Sequence, residues 1–409
     1  MTTLADELQW RGFLNQSTFK DSTDINTPRT FYWGVDPSAS SMQVGNLAAA
    51  MMVRHFIDHG HKAILLVGGA TGMIGDPDGK KQERDLKTLD EIAKNKAAIA
   101  EQYKMIFAGK DFEIVDNYDW FKNINYLDFL RDVGKHASMT QMLDRDFVQS
   151  RIGEGGDGIS YAEFSFSLIQ GYDFLHLFRE KNATLQLAGA DQWGNSITGV
   201  SLIRRLEGED AHVVTAPLIV NKQTGVKFGK TEGGAVWLDP KQTSPYKFYQ
   251  FWLNLDDETA ESLVKIYTLL DRKTIKKLLS DHQGNPGARV LQKTLAHEVT
   301  ALVHGNERVQ SIEKVNQLLF SGKGLGDLLE DKSSLQILLQ EVPSVSAPTL
   351  LEALVKSAVA SSNKNARQLI AAGAISLNGE KVLEDCELSR SGLVKKGKNT
   401  FVLVDNSSL

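Results

Sequence analysis

Only one cysteine occurs in the 409 residues. Cys386 has no partner for an intramolecular disulfide, and a multi-cysteine zinc site is excluded. It reads as a small apolar filler. No apolar run approaches the roughly 18 residues of a membrane-spanning helix. The segment MTTLADELQWRG has neither a basic leader nor an apolar stretch, so the expectation is a cytoplasmic protein with no membrane role. An excess of positive charge is also missing. The net charge of -5 argues against a surface coated for general nucleic-acid binding and leaves local basic patches open. What is present, 42% hydrophobic and 24% charged residues, is an ordinary globular composition. The length suits two or three domains of roughly 150 residues each.

Five runs read as strands: RTFYWGV, KAILLVGG, DFEIVDN, ATLQLAG and HVVTAPLIV. They are mostly continuous apolar runs, as when helices cover both faces of a parallel sheet. Between the first two, Val44, Leu47, Ala48, Met51, Met52 and Phe56 are spaced as one face of a helix. This is βαβ patterning, so 1–220 is expected to be a doubly wound, Rossmann-like α/β domain with ligands at the carboxyl ends of its strands. A helical insertion at about 119–178 interrupts the alternation. A lysine loop and connector follow at 221–243, then a wholly helical domain at 244–320. A Gly/Ser/Asp-rich linker is expected at 321–347. The remainder, 348–409, reads as a small α+β domain, with a helix, a strand and an Asn-Gly turn.

Several motif matches fail. GMIGDPDGKK has Ile74 where a P-loop needs its first glycine and Lys81 where it needs Ser or Thr. HEVTALVH has Ala301 in place of the second histidine of a zinc-protease helix. His55, His59 and His61 lack a carboxylate-rich or thiol partner, and the plainer reading is a polar helix end.

Four other stretches are informative in combination. VDPSASSMQVGN puts Asp36, Ser38, Gln43, Gly45 and Asn46 where a strand ends and a helix begins, and free N–H groups at a helix start favour phosphate. GGATGMIGDPDGKKQER follows the second strand with Asp76 and the basic trio Lys80, Lys81 and Arg84. LAGADQWGN sets Gly189, Asp191 and Gln192 at the end of a later strand. GVKFGKTEGG carries Lys227, Lys230 and Thr231 in a glycine-softened loop able to close lysines over a polyphosphate. A lone lysine is usually a solvated charge. Together the four describe an ATP site.

On these stretches the chain resembles the bacterial tyrosyl-tRNA synthetases, a family of class I aminoacyl-tRNA synthetases. MQVGN sits at the family's HIGH signature and KFGKT at its KMSKS loop, with GGATGMIGDPDGK and DQWGN as internal blocks. The resemblance covers nearly the whole chain. It implies ATP, taken with Mg2+, as a substrate and no tightly bound metal. The implied reaction forms tyrosyl-adenylate and pyrophosphate, then moves the tyrosine to the end of tRNA(Tyr). It further implies that Ser38, Gln43, Lys80, Arg84, Lys227, Lys230 and Thr231 act in catalysis. Tyr32 and Asp173 would read the hydroxyl of L-tyrosine, Asp76 and Gln170 would hold its ammonium, and Gln192 would lie near its carboxylate. Gly34, Asp36, Gly45, Asn46, Gly189, Asp191 and Lys230 would contact ATP. Phe166 stands where the family normally has a tyrosine. By spacing alone, Phe166, Gln170 and Asp173 share one helix face, as a pocket wall requires. The tail is similar to a small RNA-binding module named after a ribosomal protein, with Lys364, Arg367, Lys395 and Lys396 as candidate tRNA contacts. The resemblance also implies a homodimer joined through the insertion.

Gln43 replaces the first histidine of the signature. The nucleophile of the first step is a carboxylate already ionised at neutral pH, so no general base is needed. A glutamine amide still donates an N–H to a phosphate oxygen. Two other classes remain as alternatives: a P-loop-like kinase or NTPase, distinguished by ADP rather than AMP as product, and a non-catalytic RNA-binding relative. A tryptophan-specific sibling is nearer, but the Tyr32 and Asp173 pair favours a phenol.

Overall fold

The computed structural model describes residues 2–77, 87–153, 156–220, 228–231, 234–320, 338–339, 341–397 and 400–406. These fall into two compact units, Met1–Asp239 with Glu258–Leu279, and Pro240–Asp257 with Ser280–Leu409.

The first unit is built on β1 (Gln16–Ser17), β2 (Thr30–Val35), β3 (Lys62–Val67), β4 (Phe112–Asp116), β5 (Ala183–Gly189) and β6 (His212–Ala216). Their order is β1-β6-β5-β2-β3-β4. Only β1 runs antiparallel to its neighbour. The chain winds outward from β2 in one direction and from β5 in the other, so their carboxyl ends form the switch-point crevice where ligands bind in such sheets. The expected strands match closely, with one exception. HVVTAPLIV is strand only to Ala216, where Pro217 has no N–H to continue the ladder.

After α1 (Leu4–Arg11), the helix α2 (Val44–Asp58) joins β2 to β3 and buries the face its spacing predicts: Val44, Leu47, Ala48, Met51, Met52 and Phe56. Beyond the short α3 (Thr71–Ile74), α4 (Leu89–Ile106) starts at a reciprocal cap. Glu91 N–H donates to Thr88 Oγ1 and Thr88 N–H to Glu91 Oε2, at 3.2 and 2.9 Å. Its Tyr103 hydroxyl donates to the Leu66 carbonyl of β3 at 2.9 Å, pinning helix to sheet. The insertion folds as α5 (Tyr118–Phe121), α6 (Tyr126–Asp132), α7 (Met139–Leu143), α8 (Asp146–Ile152) and α9 (Tyr161–Lys181), and α10 (Trp193–Glu207) follows β5. A small hairpin, β7 (Lys230–Thr231) with β8 (Gly234–Ala235), completes the region.

The helical stretch contains α11 (Pro245–Leu253), α12 (Asp257–Tyr267), α13 (Arg272–Gly284), α14 (Val290–His304) and α15 (Asn306–Phe320). It divides between the units, with 258–279 in the first. Arg11 there donates to the carbonyls of Lys265, Thr268 and Leu270 at 2.7, 2.8 and 2.6 Å. Most of the expected linker, 321–337 with 340, lies outside the described residues. The small domain combines β9 (Ser344–Val345), α16 (Leu350–Lys356) and α17 (Asn363–Ala371) with β10 (Ile375–Leu377), β11 (Glu380–Lys381), β12 (Gly392–Lys396) and β13 (Thr400–Val404). Leu350, Leu354, Ile370, Ile375 and Val402 lie in its core. Asn378 and Gly379, at φ 52° and 95°, make the predicted two-residue turn, whose positive φ values suit those residue types. Among the described residues no helix is long and apolar enough to cross a membrane.

His55 and His61 are core residues rather than a polar helix end. His55 packs on Phe13 and His61 on Phe56, and His61 Nδ1 accepts from the Arg29 N–H at 3.3 Å. Burial is the main cause lowering both to about 4. A lowered folded value means that the unfolded chain takes up protons first as pH falls below about 6.5. Stability should therefore drop between pH 6.5 and about 4, by up to about 3 kcal/mol for His55. Denaturant unfolding across that window, wild type against His55→Phe, should show a shallower acid slope in the variant. Identical slopes would contradict this.

Candidate active site

A cavity of about 320 Å3 opens at the carboxyl ends of β2 and β5. Tyr32, Gly34, Asp36 and Ser38 enter it from β2 and the turn beyond, and Gln43, Gly45 and Asn46 from the start of α2. Thr71 and Asp76 follow β3, Gln170 and Asp173 project from α9, and Gln186, Gly189, Asp191 and Gln192 come from β5 and its turn. The volume lies in the range of small-molecule sites, and the wall mixes apolar surface with convergent polar groups.

One end of the cavity is a buried polar cluster. Asp173 accepts from Asn117 Nδ2 at 3.1 Å through one oxygen and from Trp120 Nε1 at 2.9 Å through the other. Burial pushes its carboxyl well above the ordinary range, Asp36 and Asp116 add to this, and the two donors oppose it. Tyr32 is also buried. Burial first, then the charge of Asp173, raises its hydroxyl, so it stays a neutral donor. That hydroxyl has no hydrogen-bond partner among the described residues. An orphaned buried hydroxyl costs about 1–3 kcal/mol until something pairs with it. A phenol placed here can donate to Asp173 and accept from Tyr32. Nothing in the sequence singled out Asn117 or Trp120. The first stands directly after the edge strand β4, at its carboxyl end, and the second one turn further on.

Toward the middle, Thr71 Oγ1 donates to Asp36 Oδ1 at 2.5 Å, and Asn117 Nδ2 donates to Thr71 Oγ1 at 3.1 Å. The glycine-rich turn makes room for this. A Cβ on Gly68 would lie 2.1 Å from Asp36 Oδ1 and 2.2 Å from Thr71 Oγ1. Opposite, Gln192 Nε2 donates to Asp76 Oδ2 at 2.6 Å. The result is a carboxylate and an amide side by side, suited to the charged end of an amino acid.

The third region faces the start of α2. Asn46 Oδ1 accepts from the Gln43 N–H at 3.0 Å, and Gly45 between them lines the cavity. The segment after the lysine loop is tied to this helix start. Val44 N–H donates to the Val236 carbonyl at 3.1 Å, Leu238 N–H to the Met42 carbonyl at 3.0 Å, and Gln43 pairs with Trp237. Gly229, at φ 88°, would set a Cβ 3.3 Å from that of Val44, so glycine suits this close approach. Lys230 and Thr231 lie on β7, next to this junction, while Lys80, Arg84 and Lys227 lie outside the described residues.

Thirteen of the expected site residues thus converge on one cavity: Tyr32, Gly34, Asp36, Ser38, Gln43, Gly45, Asn46, Asp76, Gln170, Asp173, Gly189, Asp191 and Gln192. Phe166 does not join them. It is buried at 1% exposure on α9, outside the cavity lining. In the small domain Lys364 and Arg367 are exposed on α17. Lys395 lies over the Phe401 ring at 5.2 Å, and Lys396 Nζ donates to the Val359 carbonyl at 3.0 Å, so both also serve the fold. Arg272 at the start of α13 is likewise engaged, with Glu7 at 3.0 Å and over the Trp10 ring.

Residues 23–321 match the family described as tRNA synthetases class I (W and Y), and residues 334–404 match a tyrosine–tRNA ligase SYY-like C-terminal domain. The tyrosine–tRNA ligase of Bacteroides fragilis (strain YCH46) is 42% identical over 98% of both chains. That of Limosilactobacillus reuteri is 39% identical over 98% of this chain and 99% of its own. Among solved structures, a C-terminally truncated Aspergillus nidulans mitochondrial tyrosyl-tRNA synthetase is 28% identical with a TM-score of 0.71, covering 78% of this chain and 95% of that one. A tryptophanyl-tRNA synthetase from Encephalitozoon cuniculi shares the fold, with TM-score 0.55 at 14% identity over 76% of this chain and 89% of its own. The chain therefore belongs to the class I tRNA synthetases of the tryptophan and tyrosine group, within the tyrosine–tRNA ligase family.

Proposed function

We propose that the cavity is where this chain joins L-tyrosine to ATP and then passes the tyrosyl group to tRNA(Tyr). The observation that carries the reading is the buried, unpartnered Tyr32 hydroxyl beside Asp173, a pair built for a phenol. A tryptophan indole offers only a donor and supplies no acceptor for the Tyr32 hydroxyl. In this reading Asp76 and Gln170 receive the substrate ammonium, and Gln192 lies near its carboxylate. Gly189 and Asp191 face the ribose, with Gly34, Asp36, Gly45 and Asn46 toward the rest of the nucleotide.

A carboxylate oxygen of tyrosine attacks the α-phosphorus of ATP. A new C–O–P link forms, the bond from the α-phosphorus to the bridging oxygen breaks, and its electrons leave with pyrophosphate. The terminal ribose hydroxyl of tRNA then attacks the carbonyl carbon and gives up its proton, which the AMP phosphate can take as it departs with the adenylate's bridging oxygen. Positioning and donors to the developing phosphate charge supply the acceleration. Gln43, at the start of α2, and Ser38 both line the cavity, which supports this role for them. Lys80, Arg84, Lys227, Lys230 and Thr231 are the remaining candidates by motif. ATP enters as its Mg2+ complex, a substrate, and the cytoplasm supplies it together with tRNA. Gln43→Ala should slow single-turnover adenylate formation by up to about 3 kcal/mol of barrier with little change in ATP affinity. An unchanged rate would reduce Gln43 to a helix-start residue.

A homodimer joined through the insertion is part of the same reading. Tyr126, Leu127, Met139, Ile152 and Tyr161 are exposed there at 59, 72, 57, 47 and 62%. So much apolar exposure within one insertion suits a protein interface. Leu127→Arg should shift sedimentation from dimer to monomer at micromolar concentration, and an unaltered dimer would move the interface elsewhere. The test of the main reading is ATP–pyrophosphate exchange with tyrosine, phenylalanine and tryptophan, of which only tyrosine should support strong exchange.

A further inference from the structure

A chain of hydrogen bonds beside the cavity has a fixed direction. Arg145 Nη1 donates to Asn195 Oδ1 at 2.7 Å, Asn195 Nδ2 donates to Gln192 Oε1 at 3.1 Å, and Gln192 Nε2 donates to Asp76 Oδ2 at 2.6 Å. The same guanidinium donates to Thr198 Oγ1 at 2.8 Å and to the Gly194 carbonyl. A guanidinium can only donate and an ionised carboxylate can only accept, whereas a primary amide has one end of each kind. With a donor at one end and an acceptor at the other, the two amides have a single consistent orientation, each pointing its NH2 toward Asp76. Reversing Gln192 would press its carbonyl oxygen against the Asp76 carboxylate and withdraw its N–H donors from that side of the cavity.

We propose that Arg145 and Asn195 are positioning residues for tyrosine, acting through Gln192 by setting the direction of its amide. Arg145 stands at the start of α8 in the insertion and Asn195 in the first turn of α10. The insertion thereby reaches the substrate's charged end through two side chains. This rests on the reading that Asp76 and Gln192 receive that end of the amino acid. Charged and network hydrogen bonds of this kind carry more than an isolated neutral pair.

Asn195→Asp tests it with almost no change in shape. One oxygen of the new carboxylate keeps the Arg145 contact, and the other replaces the NH2 that faces Gln192 Oε1. Gln192 must then turn its NH2 away from Asp76. In pyrophosphate exchange the KM for tyrosine should rise about tenfold or more, with the KM for ATP within about twofold. Arg145→Ala should raise it similarly, and guanidinium far below denaturing concentrations should lower it again. A purely structural role would give no such rescue. Gln192→Ala is measured alongside. If it raises the tyrosine KM while Asn195→Asp and Arg145→Ala do not, the relay is overturned and the site reading stands. If it changes nothing, the relay falls together with that reading. Should Asn195→Asp not fold, Arg145→Ala decides: a raised KM that guanidinium does not lower overturns the proposal.

Discussion

Asp173→Ala should lower kcat/KM for tyrosine in adenylate formation by about a thousandfold, roughly 4 kcal/mol of transition-state binding, while ATP affinity stays near wild type. Three consequences add up. The substrate phenol loses its acceptor, Asn117 Nδ2 and Trp120 Nε1 lose theirs, and a void opens where the carboxylate stood. A site that hydrogen-bonds a substrate hydroxyl rejects the analogue lacking it by orders of magnitude, and tyrosine selection by this enzyme family is the standard illustration of that rule. Discrimination against phenylalanine should therefore collapse in the variant, because its pocket no longer penalises the missing hydroxyl. Stopped-flow measurement of adenylate formation with both amino acids checks this. A variant that still prefers tyrosine as strongly as wild type would remove Asp173 from the hydroxyl-reading role.

A chain ending at Phe320 should form adenylate at close to the wild-type rate but charge tRNA poorly, with kcat/KM for tRNA down by about two orders of magnitude or more at moderate salt. Among the described residues the cavity lining ends at Phe228, so the truncation removes none of that lining. It does remove Lys364 and Arg367, which are exposed on α17, and Lys395 and Lys396 on β12. Each lost phosphate contact should lower the slope of log affinity against log salt by about 0.7–0.9. A filter-binding titration across salt, run beside pyrophosphate exchange, separates the two activities. Full charging with an unchanged slope would take the small domain out of tRNA binding.

Much of the fold and the site was legible in the residues, for identifiable reasons. Gln43, Gly45, Asp191 and Gln192 sit at strand ends and helix starts, where short motifs report local geometry directly. The turn at Asn378 and Gly379 was legible because positive φ selects those residue types. What escaped depends on distance along the chain. Asn117 and Trp120 meet Asp173 across 56 and 53 residues, and an amide and an indole carry no motif that announces such a meeting. The amide chain from Arg145 to Asp76 was illegible for the same reason. Periodicity misled at Phe166. It places Phe166, Gln170 and Asp173 on one helix face, yet only the last two line the cavity. A buried face looks alike to spacing whether it meets a cavity or the core. The division of the helical stretch at 258–279 was equally hidden, since Arg11 recruits those residues from the opposite end of the sequence.

The most direct test of the central claim, that the Tyr32 and Asp173 cavity is a tyrosine-activating site, is pyrophosphate exchange into ATP with each of the twenty amino acids in turn. The account predicts strong exchange with tyrosine alone, and its loss in Asp173→Ala. Exchange driven by tryptophan or phenylalanine as well as by tyrosine, or tyrosine-driven exchange undiminished in Asp173→Ala, would contradict it.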